Sequence, residues 1–464
     1  MATIHCIGIG GIGVSALAKW LLTLGYQVTG SDEVARPQVE ALRARGLTIG
    51  IGADPAHVGP EVELVVFSSA VPSGHPERAA ARERGIPEMN SFALLGELVR
   101  EREVVMVAGT HGKSTTTAIL SKMLIDGGLD PTCFVGSVVP GFPDGNLRVG
   151  ASPFVVIEGD EYDRHFLHFS PKYLVLHALE WDHTDQFLPF EAMVDVYRQL
   201  LHQMPDGGTL CVNADDPRVV EFVASERSWC ERRSITIRPY GLSAHADTRV
   251  RDLVVRDGAQ HLVFQEADDH LTRTKLHLPG KMNVSNVLAA FCCARALGVA
   301  QPSLARSIEA FQGIWRRFER VKEEQGVLVI SDYAHHPTAI RLTLEAARSF
   351  YPGRRIVCCF EPHRQERTRD LFWEYAASFD AADVVILAEV WDMPNREPVQ
   401  GETVSSLQLV EAIHEHDRLR GAPRRVEFVP NAEAALQMVQ SLKKTGDLIL
   451  IAGAGTLYAI APRV

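Results

Sequence analysis

Much is missing from this 464-residue chain, and each absence narrows what it can be. No run of about 18 apolar residues occurs, so no membrane-spanning helix is expected. The opening MATIHCIGIGG enters a strand-like pattern at once, with no basic segment or apolar leader before it, which points to the cytoplasm. There is no C-x-x-C spacing of the kind that binds zinc or cycles through a disulfide. The eight cysteines, with adjacent pairs at Cys292-Cys293 and Cys358-Cys359, read instead as reduced core thiols. A basic excess is absent too: net charge is -11 and pI about 5.9, which argues against a broad nucleic-acid or anionic-membrane face. Low-complexity tracts and internal repeats are lacking, and 46% hydrophobic with 23% charged residues is the balance of a globular protein.

What is present is a β-α rhythm repeated along the chain. Short apolar runs (Ile4–Ile9, Gln27–Thr29, Leu64–Phe67) alternate with amphipathic stretches such as Val14–Leu24 and Pro76–Arg84. A charged RERE stretch at 100–103 precedes a new strand at Val104–Val107. Strands at Phe154–Ile157, Tyr173–His177 and Thr209–Val212 follow, then a polar β-rich stretch from Ile235 to Leu278 and a helix at Val284–Leu297. A third alternating section has strands Leu328–Ile330, Arg355–Cys359, Val384–Leu387 and Leu448–Ile451, with helices at Ala339–Ser349 and Arg369–Phe379. The expectation is an α/β protein of three domains, 1–100, 101–314 and 315–464.

The N-terminal loop Gly8-Ile9-Gly10-Gly11-Ile12-Gly13 lies between a strand and a helix, and Ser31-Asp32 ends the next strand. Glycines there let the backbone turn tightly and approach a pyrophosphate at the helix N-terminus. A nicotinamide or flavin cofactor, a nucleotide sugar, or close strand–helix packing alone would each account for this pattern. Ser68-Ser69, after the strand Leu64–Phe67, is expected at the same carboxyl edge. Gly10, Gly11, Ile12, Gly13, Ser31, Asp32, Ser68 and Ser69 are therefore candidate ligand contacts.

A second glycine loop, GTHGKST, departs from G-x-x-x-x-G-K-[ST]: six residues before Lys113 stands Val107. It keeps the needed chemistry. Amides of Gly109, Thr110, His111 and Gly112 would cradle phosphates, Lys113 would reach the β/γ oxygens, and the Ser114 hydroxyl would hold Mg²⁺, with Thr115 a further contact. ATP and Mg²⁺ are the implied ligands. Hard oxygen ligands are supplied by EGDEYD, with four carboxylates between Glu158 and Asp163, of which Glu158 at the strand end is best placed. Farther along, LEWDHTDQF puts His183 between Asp182 and Asp185, where it would ligate a metal or orient a carboxylate.

Taken in order, GTHGKST, EGDEYD, DHTD, NADDP, GKMNVSNVLAA, RRFE, DYAHHPTAI and EPHRQERTRDL resemble the Mur ligases over essentially the whole chain. The resemblance implies an α/β enzyme with an N-terminal Rossmann-like domain for a UDP-sugar, a central phosphate-loop (P-loop) ATPase with a mostly parallel sheet, and a C-terminal Rossmann-like domain closing over the site. GIGGIG, GSD and PHR…RTRDL resemble the members that join L-alanine to the lactyl carboxylate of UDP-N-acetylmuramate through an acyl phosphate. Carried onto this chain, Lys113 and Ser114 match the ATP/Mg²⁺ loop, Glu158 and His183 the metal pair, and Asn283 and Asn286 the adenine contacts. Arg316 or Arg317 and Asp332 to His336 match the part meeting the nucleotide; His363, Arg364 and Arg367 match the segment facing substrate. His335 or His363 would accept the amine proton, and Arg364 with Arg367 would hold the alanine carboxylate.

The runner-up within the family is the tripeptide-reusing ligase, which EGDEYD and LEWDHTD resemble. Met282 stands where the family commonly has His. Members adding later residues carry a modified lysine beyond the DH motif, whereas no lysine occurs here between Lys172 and Lys275. A dehydrogenase would use the first glycine loop but leave the second unexplained; a nucleotide-sensing protein would not need the acidic and histidine motifs together. Small-molecule substrates are expected as partners, with a monomer or homodimer as the working unit.

Overall fold

Three β-sheets follow one another along the chain in the computed structural model, which describes residues 2–392 and 402–464. The first contains β1 (Thr3–Ile7), β2 (Gln27–Asp32), β3 (Thr48–Ile51), β4 (Val62–Phe67) and β5 (Glu88–Asn90), all parallel, in the order β3-β2-β1-β4-β5. This order reverses between β1 and β4, so the crevice beyond their carboxyl ends is the natural ligand position. The glycine loop and the Ser68-Ser69 turn both lie there.

The second sheet has ten strands: β6 (Glu103–Ala108), β7 (Thr132–Phe134), β8 (Leu147–Arg148), β9 (Phe154–Glu158), β10 (Pro171–Leu176), β11 (Thr209–Asn213), β12 (Thr236–Gly241), β13 (Thr248–Arg256), β14 (Ala259–Gln265) and β15 (Leu271–Leu276). Its order is β15-β14-β13-β12-β11-β10-β6-β9-β7-β8. The strands β6, β9, β10 and β11 are parallel and apolar because helices cover both faces, whereas β13–β15 form an antiparallel extension with alternating exposure. The third sheet, β16-β17-β21-β18-β19-β20, uses β16 (Glu319–Glu324), β17 (Val327–Asp332), β18 (Ile356–Glu361), β19 (Val384–Ala388), β20 (Arg425–Val429) and β21 (Leu448–Gly453), with only β16 antiparallel.

Apolar packing does not treat the three sheets alike. One core runs without a break from Trp20 and Leu21 of the helix Ile12–Thr23 into Phe134, Leu147 and Val155 of the second sheet, with the Trp20 and Phe134 rings 5.3 Å apart. The third sheet has its own two cores, joined to the second mainly by polar contacts and by Met282. All eight cysteines are buried and free, as expected. No helix among the described residues is long and apolar enough to cross a membrane.

Element ends moved in two informative places. The first strand stops at Ile7, because Gly8 turns the chain at φ +75°. The helix expected at Arg369–Phe379 is two short ones, Gln365–Asp370 and Phe372–Ala376, broken at Leu371 (φ -114°, ψ 29°). The earlier start carries Arg367 inward to a carboxylate. The shared core leads to a prediction: Trp20→Ala, emptying a site 2% exposed, should cost about 3–5 kcal/mol. Urea unfolding should show the first and second sheets lost together at a lower midpoint; separate transitions with the second unchanged would contradict a common core.

Candidate active site

The strand β6 delivers its chain into a loop that only glycine can make at two points. Gly109 (φ +127°) and Gly112 (φ +79°) are left-handed, and a Cβ at Gly112 would stand 2.4 Å from Asn286 Oδ1. The helix Lys113–Asp126 starts directly after it. Thr115, Thr116 and Thr117 are poor helix formers, yet all are buried; Thr116 Oγ1 pairs with His177 Nε2 at 2.7 Å and Thr117 Oγ1 donates to Lys113 O at 2.8 Å. Tertiary partners thus offset weak local propensity.

Lys113 Nζ donates to Gly109 O at 2.7 Å and lies 3.0 and 2.9 Å from the two oxygens of Glu161. Burial alone would lower its pKa, but the charges of Glu161, Asp160 and Glu158 raise it above the ordinary lysine value. Ser114 Oγ donates to Glu158 Oε1 at 2.8 Å, and Glu158 Oε2 accepts from Gly136 N at 2.7 Å. Of the four carboxylates in EGDEYD, Glu158 faces the Ser114 hydroxyl and Glu161 faces the Lys113 ammonium. Asp160 turns to His165, with Oδ2 2.9 Å from Nδ1. Burial would raise the Asp160 pKa, but His165 and Lys113 hold it below the usual carboxylate value.

Beyond β10, LEWDHTD contributes every one of its charged side chains. His111 Nε2 donates to Glu180 Oε2 at 2.7 Å, and Glu180 Oε1 accepts from Thr338 Oγ1 at 2.6 Å. His336 shares this corner, its ring centroid 4.9 Å from that of His111. Ligand atoms of His111, Glu180 and His336 all lie within 4.8 Å of one another. Hydrogen bonds already engage both Glu180 oxygens and both His336 nitrogens, the latter with Trp181 O and Thr338 N, so the cluster is a latch between the phosphate loop and the third domain. Asp182 accepts from Arg367 Nε at 2.7 Å, and Asp185 lies 3.2 and 3.3 Å from Arg364 Nη1. His183 is left-handed at φ 52°; its Nε2 is 3.8 Å from Glu161, and its buried Nδ1 has no hydrogen-bond partner.

From the third domain, Arg317 Nη2 donates to Ser114 Oγ at 3.3 Å, while Arg316 is buried and donates to Gly453 O at 2.5 Å. Asp332 accepts from Phe318 N at 2.6 Å and Ala334 N at 2.7 Å, which makes it the organiser of this turn. His335 has Nδ1 2.9 Å from Tyr333 O. A carbonyl can only accept, so the proton sits on Nδ1 and the lone pair on Nε2. Burial, followed by the charge of Arg367, pushes the His335 pKa well below the ordinary imidazole value. The His363 ring stacks on Trp391 and stands 6.0 Å from that of His335. Asn283 and Asn286 bond to each other at 3.1 Å at the start of the helix Lys281–Ala296, while Met282 packs against the third domain's core.

In the first domain, Gly10 N donates to Asp32 Oδ2 at 2.8 Å, and a Cβ on Gly8 would stand 3.2 Å from that of Ser68. Gly11 N donates to Gly8 O at 3.0 Å, Ile12 O accepts from Asn146 at 2.6 Å, and nothing lies within 4 Å of a Cβ on Gly13. Two candidate ligand contacts have side-chain partners within the protein: Ser31 points inward to Glu77, 2.5 Å away, and Ser69 lies 2.5 Å from His165 Nε2. Arg364 and Arg367, the candidates for holding a substrate carboxylate, pair with Asp185 and Asp182.

Fold and site together define a three-domain α/β phosphate-loop enzyme whose cleft is completed by the third domain. Family models cover nearly all of it: Mur ligase family, catalytic domain, over residues 3–103; Mur ligase middle domain over 107–294; and Mur ligase, glutamate ligase domain, over 316–455. A UDP-N-acetylmuramate--L-alanine ligase of Solidesulfovibrio magneticus is 36% identical over 98% of this chain and 96% of its own length. One of Salinibacter ruber is 36% identical over 98% and 92%. Among solved structures, the UDP-N-acetylmuramate-alanine ligase of Thermotoga maritima has TM-score 0.82 at 24% identity, covering 100% and 98% of the two chains. A murein peptide ligase of Psychrobacter arcticus has TM-score 0.72 at 25% identity, covering 100% and 98%. The chain belongs to the Mur ligase family.

Sequence reasoning set Asp160 and Glu161 behind Glu158 and passed over Glu180 and His165. Their signal was position, within a few residues of EGDEYD or of Asp182, but which carboxylate meets which partner depends on strand ends from different parts of the chain. Two buried imidazoles generate a prediction. Burial, then the neighbouring charges, lowers His177 to about 3; burial, then His111, lowers His336 to about 4. Below pH ~6.5 the unfolded chain therefore takes up protons first, and stability falls as pH drops from about 6.5 toward 4. Glu180, lowered to about 2, is charged in both states above its ordinary value of 4.5 and adds nothing in the upper part of that window. His177→Gln should reduce the slope of unfolding free energy between pH 6.5 and 5 by up to about 1.4 kcal/mol per unit. Urea titrations across that range check it; an unchanged slope would refute the assignment.

Proposed function

We propose that this chain is an ATP-dependent ligase joining L-alanine to the lactyl carboxylate of UDP-N-acetylmuramate, with ADP and phosphate as products. The observation that carries the reading is the meeting of the Lys113–Ser114–Glu158 corner with Arg317 of the third domain, in a chain 36% identical over almost its whole length to ligases of that name. The division of labour is residues 1–100 for the UDP-sugar, 101–314 for ATP, and 315–464 for closure and the amine.

A carboxylate is too poor an electrophile for an amine, so its oxygen must first attack the γ-phosphorus of ATP, releasing ADP and forming an acyl phosphate. Lys113 and Arg317 supply positive charge where that transfer concentrates negative charge. Glycine-loop amides and Asn283 with Asn286 bind the nucleotide. Ser114 and Glu158, a hydroxyl and a carboxylate 2.8 Å apart, suit a magnesium ion, and His183, whose buried Nδ1 lacks a partner, would serve a second. When bound, these ions neutralise phosphate charge. The amine nitrogen then attacks the acyl carbon, phosphate leaves, and the amine proton passes to His335 Nε2, whose lone pair is kept available by the Nδ1–H bond to Tyr333 O. Arg364 and Arg367, neutralised by Asp185 and Asp182, position the cleft; His363 stands next to them to meet the amino acid.

The names of the relatives favour alanine over murein tripeptide as the amine. Phosphate release with UDP-N-acetylmuramate, ATP and Mg²⁺ should rise with L-alanine; a rise with the tripeptide alone would replace this reading by the tripeptide one, and a rise with neither would remove ligation. Lys113→Ala should lower kcat by at least about 10³-fold while UDP-sugar binding, measured by calorimetry, stays within about threefold. Equal loss of both would contradict the division between domains.

A further inference from the structure

A chain of hydrogen bonds leads from the first domain's ligand crevice to Asp160, in the acidic turn that faces the phosphate loop, and the proposed reaction does not use it. At the crevice, Asn90 Nδ2 donates to Ser69 Oγ at 2.7 Å, and Ser69 Oγ is 2.5 Å from His165 Nε2. On the other side of the ring, His165 Nδ1 is 2.9 Å from Asp160 Oδ2. Asp160 is followed directly by Glu161, whose carboxylate lies 2.9 Å from Lys113 Nζ, so the placing of Asp160 bears on the Lys113 ammonium. The donors run one way: the Asn90 amide nitrogen has only hydrogens to give, the carboxylate only lone pairs. With a neutral ring, Ser69 O–H donates to Nε2 and Nδ1–H donates to Asp160. His165 is 4% exposed and clamped by the Phe92 ring, stacked at 4.0 Å and 12°, so it cannot swing without dragging both neighbours. Asp163 is the other charged group at this ring, 3.6 Å from Nε2.

The order hydroxyl, imidazole, carboxylate is also that of an activated nucleophile, but the surroundings do not support one. The amides following Ser69 are turned back, Ala70 N to Ser68 Oγ at 3.4 Å and Val71 N to Ser68 O at 2.8 Å, so they point at no oxyanion position. What remains is a connection. The first and second sheets share one apolar core, which makes rigid-body motion between them costly and leaves buried polar side chains as the adjustable path between their two loops.

We propose that His165 is a positioning residue that couples occupation of the glycine-loop crevice beside the Ser68–Ser69 turn by the diphosphate of a UDP-sugar to occupation of the Lys113 loop by nucleotide. The inference rests on the functional reading above for the identity of the two ligands. A diphosphate on the glycine loop, where Gly8 adjoins Ser68, fixes the turn and with it Ser69; His165, held between Ser69 and Asp160, then fixes Asp160 beside the Lys113 loop. Coupling is reciprocal, so a nucleotide at Lys113 tightens the sugar site by the same factor.

Calorimetry on the full chain tests this, measuring UDP-N-acetylmuramate binding with and without Mg²⁺ and a non-hydrolysable ATP analogue. The wild type should show at least fivefold tightening by the analogue. His165→Ala should bring that factor to within twofold of one, with each ligand's separate affinity changed by less than about threefold. His165→Asn keeps a donor near Asp160 but falls short of Ser69, and should lose coupling equally; its melting temperature serves as the folding control. A wild-type factor of one, or an unchanged factor in either variant, overturns the relay while leaving ligation intact. So does equal loss in binary and ternary affinities, the mark of a merely structural histidine. Failure of the wild type to bind the UDP-sugar at all would bring down the functional reading and this inference together.

Discussion

Asp182 and Arg367 are taken almost wholly out of water, with side chains 6% and 4% exposed, and the arrangement of the cleft depends on their meeting. Burial would raise the Asp182 pKa, but Arg367 and the surrounding imidazoles hold it well below the usual carboxylate range. Neither charge would be tolerable alone, since an unpaired buried ion costs several kcal/mol. The pair joins a loop of the second domain to a short helix of the third. It therefore bears on where His335 and His363 stand; burial first, and then the Arg367 charge, which outweighs the opposing Asp182, lowers the His335 pKa.

The domains are held to one another by two different kinds of force. Between the first and second, a continuous apolar core does the work, and the polar groups across it, such as Lys19 Nζ donating to Asp144 O at 2.8 Å, are details on a fixed joint. Between the second and third, directional pairs predominate: Arg367 with Asp182, Arg364 with Asp185, Thr338 with Glu180, Arg317 with Ser114. Apolar area is indifferent to small displacement, whereas charge pairs have value only at one geometry. Left-handed residues at His183, Arg316, Phe318 and Arg364 gather at this second boundary, where the backbone is bent to aim side chains rather than to extend an element.

Much of this was readable beforehand. Apolar runs of strand length followed by glycine loops announced the parallel sheets, because a strand buried on both faces has no room for polar alternation. The polar β-rich stretch from Ile235 to Leu278 became the strands β12–β15, whose exposed face allows alternation. Glu158 was singled out because it ends a strand beside the phosphate loop, and it does face Ser114. The helices Ser406–Arg420 and Ala432–Leu442 passed unnoticed. Ser31 looked like a ligand contact on the same reasoning as Ser68, yet the buried carboxylate of Glu77 draws it inward, a neighbour that lies 46 residues away.

By itself, then, the sequence determined the three α/β units, the two glycine loops and the residue types at their rims, since these follow from periodicity of burial and from backbone freedom that glycine alone supplies. Only the tertiary structure decided which carboxylate serves which donor: Glu161 for Lys113, Glu180 for His111, Asp182 for Arg367. Pairings of that kind are set by Coulomb attraction and desolvation between groups tens to hundreds of residues apart, and both depend on distances that no local pattern encodes.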